Sequence, residues 1–411
     1  MSADASRVGE RVAYFRKRLG LSQIEFAGLT DRSESWVSQV ERGVRAIDRL
    51  SVLQMVADKL NVSVAELRGE DDSALERHSE QHAHAFEALR LTLTGHPAIM
   101  RVIAPSSTTT SDAPDIESLR RDHASIWVMV HESRYNDLAP LLAGLITGLE
   151  LSIRNTAPGM DLVSARELLT DTYQAAAAAL AKIGDMDAAW IAADRAAFVA
   201  EAIGSPLALA ASLFRMAHVF LGLSRLPQAE KVALSASSAL QARIDSGETG
   251  AETLSLYGAF HLVLAVAAAR ENQRTDANKF LETAREVATQ VGEGRNDYGT
   301  EFGPTNVALH AVSIAVELGD AGLALDLSQE VDPANLSAER QARYLIDLAY
   351  AHDMRRHIGE SLRCLQAAEE LTPEQTRTHR VARDVARDLV QLSGTHLRAE
   401  LRELAERFSV I

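Results

Sequence analysis

Glu34, Ser35 and Gln39 place a carboxylate, a hydroxyl and an amide on one side of a short helical stretch, Glu34–Arg42. Val37 and Val40, three apart, make the opposite, apolar side. Small hydroxyl and amide side chains hydrogen-bond to the edges of bases, and a short helix with an apolar back fits the major groove of a duplex. Around this face, Gln23, Arg32, Trp36, Ser38, Arg42 and Arg45 are candidates for sugar and phosphate contacts. Glu34 is the odd member, because a carboxylate repels phosphate. It either accepts from a cytosine amino group or points away. Trp36 is large for its position, and packing on the sugar-phosphate backbone, on a partner subunit or on the core would each suit it.

Such a helix needs elements to hold it. Ser22 followed by Glu25 fits a capping box, and Ile24, Phe26, Ala27 and Leu29 give the helix it opens an apolar face. Thr30-Asp31-Arg32 makes a turn, Ser33 caps the second helix and Gly43 ends it. Apolar spacing predicts flanking helices over Val8–Leu19 and Asp48–Leu60, with one more turn at Val64–Leu67. The stretch Arg7–Arg68 resembles the phage-repressor type of helix-turn-helix domain, the XRE family. The resemblance is carried by Arg16, Leu21-Ser22-Gln23, Ala27, Val37-Ser38, Val40-Glu41-Arg42-Gly43, Val64 and Leu67. It implies binding to double-stranded DNA, with Gln23 on the backbone, Glu34, Ser35 and Gln39 on bases, and Arg16 paired with Glu41. The chain departs from the family pattern at Asp31-Arg32, where the family has Gly and an apolar residue, and at Glu34.

A chain of 411 residues needs at least one further large unit. Hydrophobic residues make up 46%, enough for a sizeable core, while aromatics are only 5% and Ala abounds, which favours close-packed helices. The single cysteine, Cys364, excludes an intramolecular disulfide and fits a reducing, cytoplasmic setting. The N-terminus has no apolar leader, and no run of about twenty apolar residues suggests a membrane span. Net charge is −15, but unevenly spread: of 42 basic and 57 acidic side chains, residues 1–68 hold 11 and 9, leaving 31 and 48. A weakly basic end attached to a body that repels DNA gains from two-fold repetition, so a homodimer is expected.

Gly69–Ser73 reads as a polar hinge and Ala74–Leu93 as a helix. His78 and His82 on it are four apart, with His84 nearby, but nothing completes a metal set. Pro105–Pro114 is a Ser/Thr/Pro-rich loop. Beyond it, a helix, a short polar turn and a second helix recur. Ala189, Ala229, Ala277, Ala324 and Ser361 mark equivalent points at spacings of 40, 48, 47 and 37, with a weaker copy at Ser133–Ala139. Seven residues past the anchor, small residues recur at Ala196, Ala236, Ala284 and Ala368. This pattern resembles tetratricopeptide repeats, with Pro373 twelve past Ser361 where that family closes a repeat. The expected fold is all-α: a five-helix head over 1–68, a linker helix and loop over 69–114, and a right-handed α-solenoid over 115–411 for sensing and dimerisation. The pairing of the two halves resembles signal-responsive regulators of Gram-positive bacteria, peptide-sensing quorum regulators among them. That likeness implies a small-molecule or peptide signal.

Within the repeats, Val291–His310 breaks the Ala-rich pattern with four Gly and a Pro. Gly299, Gly303 and Pro304 impose bends, and Thr305 is placed to cap a helix on which Asn306 and His310 share a face. Tyr298, Phe302, Asn306 and His310 are candidate ligand contacts, with Arg215, His218 and His261 as weaker ones. No phosphate loop, nucleophile elbow or metal-ligand cluster points to an enzyme or a cofactor. The expectation is a transcriptional regulator. The alternative is an adaptor or antitoxin-like module whose repeats hold a protein.

Overall fold

The structure, a computed structural model, describes residues 3–18, 21–47, 50–60, 62, 64, 67, 86–95, 115–155, 159–393, 399–408 and 410. The hinge at Gly69–Ser73, His78, His82, His84 and the loop Pro105–Pro114 lie outside them. The described residues form helices joined by turns.

The head contains α1 (Ala3–Arg18), α2 (Gln23–Leu29), α3 (Glu34–Glu41) and α4 (Leu50–Lys59). Val12, Phe26, Val37, Val56 and Leu67 are fully buried together. The capping box at Ser22 and Glu25 is formed from both sides, and Ser33 Oγ accepts from the Trp36 amide. Asp31 takes φ +51° in the turn. Asp is one of the few residue types besides Gly that tolerate the left-handed region. Gly9 lets α1 touch α3: a Cβ there would stand 2.1 Å from the Val40 carbonyl oxygen. Gly9→Ala is expected to push the helices apart and cost about 1–3 kcal/mol. Faster hydrogen exchange of the α1 amides would report it, and unchanged exchange would refute the close approach.

Residues 86–94 form α5. The solenoid continues with α6 (Ile116–His123), α7 (Ile126–His131), α8 (Tyr135–Asn155), α9 (Met160–Lys182), α10 (Met186–Ile203), α11 (Pro206–Gly222) and α12 (Leu226–Asp245). Then come α13 (Ala251–Arg270), α14 (Arg274–Val291), α15 (Pro304–Glu317), α16 (Ala321–Ser328), α17 (Ala338–Met354) and α18 (Ile358–Leu371). The series ends in α19 (Pro373–Thr378), α20 (Arg380–Ser393) and α21 (Ala399–Arg407). Phe86, Leu89 and Leu93 of α5 are fully buried in one core with α8 and α9. This part of the expected linker therefore belongs to the repeat body.

The turns share a backbone. Ser133, Gly184, Ser224, Asn272, Gly319 and Arg356 all have positive φ, between +55° and +88°. In the last five, the anchor follows five residues later, and each anchor is fully buried. By that register the anchor of the first copy is Leu138, also fully buried, rather than Ala139. Small anchors let the second helix of each pair lie close on the first. The helix α13 is long and apolar enough to cross a bilayer by length and composition, but most of it is buried inside the solenoid. An apolar helix surrounded by other helices is a core helix.

The superhelix returns on itself. Ser133 Oγ donates to Gln375 Oε1 at 2.7 Å, and the Tyr135 hydroxyl donates to the same oxygen at 3.2 Å. The Gln375 amide in turn donates to Glu339 Oε1 at 3.2 Å. Near the start of the ring, Trp127 lies on Gly299, where a Cβ would come within 2.6 Å of the indole and φ is +63°.

Candidate functional site

Two regions carry candidate chemistry: the outer face of α3 and the interior of the ring.

On α3, Glu34 and Ser35 are exposed and Gln39 is half-exposed. The Gln39 amide donates to Ser35 Oγ at 3.3 Å, so the two are held side by side. Arg42, at the end of the helix, is exposed and donates to the Ser38 carbonyl at 3.1 Å. Behind this face, Arg16 makes a two-pronged bond to Glu41, Nε to Oε1 at 2.5 Å and Nη2 to Oε2 at 3.0 Å. Gln23 also donates to Glu41 Oε2, at 2.7 Å, so its amide nitrogen is engaged within the head. Burial works to raise the Glu41 carboxyl, but the bonds from Arg16 and Gln23 outweigh it and hold the group below the usual range.

Arg32 and Trp36 are half-exposed and Arg45 is exposed. They line a crevice of about 370 Å³ against Asn272, Gly319 and Met354, at the turn edge of the solenoid. The Arg32 guanidinium lies 5.7 Å from the Trp36 ring centroid. A larger hollow of about 1030 Å³ runs between Asp31, Gln54, Asp58 and Lys59 of the head and Gly184, Ser224 and Asn272 of the solenoid. Arg380 bridges it by donating to Gln54 Oε1. In this arrangement Arg32, Trp36 and Arg45 face the solenoid edge across a crevice, which the sequence did not foretell.

Inside the ring is a cavity of about 270 Å³, lined by the first helix of each pair. Of the seven ligand candidates, Arg215, His218, Asn306 and His310 line it. The other three have structural roles. The Phe302 ring is buried flat against Gly258, and His261 packs between Tyr257 and Phe280 with Nδ1 donating to the Tyr257 carbonyl at 2.9 Å. Tyr298 has φ +52° and turns its carbonyl to Arg215 Nη2. Thr305 is not the cap of α15. Gly303 holds that position, and the Thr305 amide and hydroxyl both donate to Glu293 Oε1 at 2.8 Å.

Sequence reasoning missed Lys182, Arg270, Glu301, Glu317, Glu339, Arg340, Arg343 and Asp347, all on the cavity wall. Their charges read as solvated helix faces. A signal was present in the register: Lys182, Arg270 and Glu317 each lie seven residues before an anchor. Pairing neutralises several of them. Lys182 bonds Glu339, Arg270 meets Glu317 at 3.2 Å and Arg343 meets Asp347 at 3.5 Å. Burial, then the like charge of Arg340, lowers His310 to about 4, and burial lowers His218 well below its ordinary value. Both imidazoles are therefore neutral at pH 7.

Residues 7–68 match a helix-turn-helix domain family. The match spans the head alone. No curated protein matches the chain in a sequence comparison. Among solved structures, PlcR of Bacillus thuringiensis, in complex with the peptide PapR7 and DNA, is 11% identical. That likeness covers 87% of this chain and 99% of the other, with a TM-score of 0.29. The partners in that complex are its own.

Proposed function

We propose that this chain is a DNA-binding transcriptional regulator that acts as a homodimer, reads duplex DNA with α3, and takes its signal in the cavity of the solenoid. The observation that carries the reading is the open face of α3, Ser35 and Gln39 bonded to each other over a helix-turn-helix core, within the stretch matched by the family. Two heads on a dimer would meet half-sites about 34 Å apart, or a multiple of that. The cavity wall favours a small ligand over a protein partner. Charged and amide groups converge on it, whereas a protein-binding groove would be broad and apolar.

Selection of bound sequences from a random DNA pool, followed by titration, tests the DNA half. Gln39→Ala is expected to relax the preference at one base position, at a cost of about 1–3 kcal/mol. Arg42→Ala is expected to weaken all sequences alike and to flatten the salt dependence by about one phosphate contact. If Gln39→Ala leaves both preference and affinity unchanged, α3 does not read bases as assigned.

A further inference from the structure

The second helix of each pair faces outward, and the outer faces are not alike. On α14, Lys279, Glu282 and Glu286 are exposed and Arg285 pairs with Glu282, an ordinary solvated surface. On α10, Trp190 is 46% exposed and Phe198 73%, and these are the two most exposed aromatic rings of the described solenoid. They lie eight residues apart with exposed Asp194 midway, so the three make one stripe of the helix. On α12, Lys231 is exposed, and no charged residue follows it as far as Ala242. The rest of that face is Leu234, 40% exposed, with the small residues Ser235, Ser238, Ala239 and Ala242. Neither Asp194 nor Lys231 has an ion-pair partner among the described residues. Single apolar side chains scattered on a surface need no explanation, but two large rings on one stripe, beside a face of small residues, do.

The two faces complement each other. Both helices pack on α11 and start from the same kind of turn, so the buried anchors Ala189 and Ala229 are equivalent points. Consider α10 of one subunit laid on α12 of a second copy, with these anchors level and a two-fold axis along the helices. Phe198, nine past its anchor, then falls on Ser238 and Ala239 of the partner subunit, which leave room for a ring. Trp190 and Asp194, one and five past it, fall on either side of Lys231 of the partner subunit, two past its own. The ammonium group there meets an indole face and a carboxylate. Two-fold symmetry makes each of these contacts twice. Packing α10 on its own copy would instead set two Asp194 carboxylates against each other. The size is also sufficient. The 18 residues of α10 make a helix about 27 Å long. Two helices about 10 Å wide give a face of about 540 Å², or about 1,100 Å² over both subunits, which reaches the size of a specific interface.

We propose that the outer face of α10 and α12 is the surface through which two copies of this chain associate, α10 of each lying on α12 of the other. This inference rests on the reading of the protein as a homodimer and names the surface that the dimer uses.

Sedimentation equilibrium of the full-length protein without DNA tests it, so that a failure of DNA recognition does not enter. The wild type is expected to be a dimer. Phe198→Glu is expected to weaken the dimer about tenfold or more, as removal of a central aromatic anchor does. Asp194→Lys and Lys231→Asp should each weaken it by a similar factor, because each sets like charges together across the interface. Joining the two exchanges in one chain reverses the pair and should restore the dimer to within about threefold of the wild type. Lys279→Asp on α14 is the control and should leave it unchanged. All these side chains are exposed, and thermal melts followed by circular dichroism identify any variant that is not folded. If Phe198→Glu fails to fold, the charge exchange decides. A wild type that dimerises while folded Phe198→Glu dimerises as tightly refutes this face and leaves the homodimer reading standing. A double exchange no tighter than its single members refutes the pairing of α10 with α12. A wild type that stays monomeric overturns both readings and leaves the face to a different protein.

Discussion

Glu41→Ala is expected to cost the head about 3–5 kcal/mol, the range for removing one partner of a buried ion pair. Both side chains of the pair are nearly buried, with 8% of Arg16 and 6% of Glu41 exposed. The loss strands the Arg16 guanidinium beneath α3 and also frees the Gln23 amide. Glu25→Ala removes an equally acidic residue of the same domain, but one whose carboxylate meets only the exposed Ser22 amide. Its loss removes one arm of an exposed capping box and is expected to be much the smaller of the two. Native-state hydrogen exchange of the α1 and α3 amides in the full-length protein separates the two. Equal losses of protection would mean that the Arg16–Glu41 pair does not hold the head together. The pH dependence follows from the same geometry. Glu41 has its folded pKa lowered, so its contribution is complete above the unfolded value of about 4.3 and disappears as pH falls through the folded value. Protection of α3 should therefore fall below about pH 4 in the wild type, and this acid-dependent part should be absent from Glu41→Ala.

Glu339→Ala should be as damaging to the solenoid, again about 3–5 kcal/mol. Glu339 is 4% exposed, accepts from Lys182 and from the Gln375 amide, and through Gln375 is joined to Ser133 and Tyr135 at the other end of the ring. Burial acts to raise its carboxyl, and Lys182 and Arg340 more than reverse this, so its pKa falls well below the ordinary range. Removing it leaves Lys182 without its counter-charge and Arg340 with Glu301 alone, and loosens the closure. The control is Lys182→Met combined with Glu339→Met. Apolar replacement of both partners is often neutral, so the double variant should recover most of the lost stability. Urea denaturation of the full-length protein measures the series. A double variant as unstable as Glu339→Ala alone would show that the damage comes from lost packing rather than from a stranded charge. As with Glu41, the depressed carboxylate contributes its stability above about pH 4.3, and that contribution is lost on acidification.

Local rules in the sequence determined much of this protein. The caps at Ser22 and Ser33 and the inward Val37 and Val40 follow from short-range patterning, because a helix cap or an apolar face is decided within a few residues. The Arg16–Glu41 pair joins residues 25 apart and was expected only from the family resemblance. The repeats were legible for the same reason: a polar turn followed by a buried anchor, small in five of the six copies, is a pattern confined to a few residues, although the spacing between copies varies. The ring closure was decided only by tertiary structure. Whether a superhelix meets itself depends on small rotations summed over every repeat, and no local pattern records that sum. Closure turned inward charges such as Lys182 and Glu339 from an exposed helix face into a buried network, and brought Arg215, from one pair, beside Asn306 and Arg340 from others. It also separated residues that sequence proximity had grouped, since Tyr298, Phe302 and Asn306 leave one loop in three directions. The placing of Arg32, Trp36 and Arg45 against the turn edge of the solenoid is of the same kind. A side chain's type sets what it can bond, and the path of the whole chain sets what it meets.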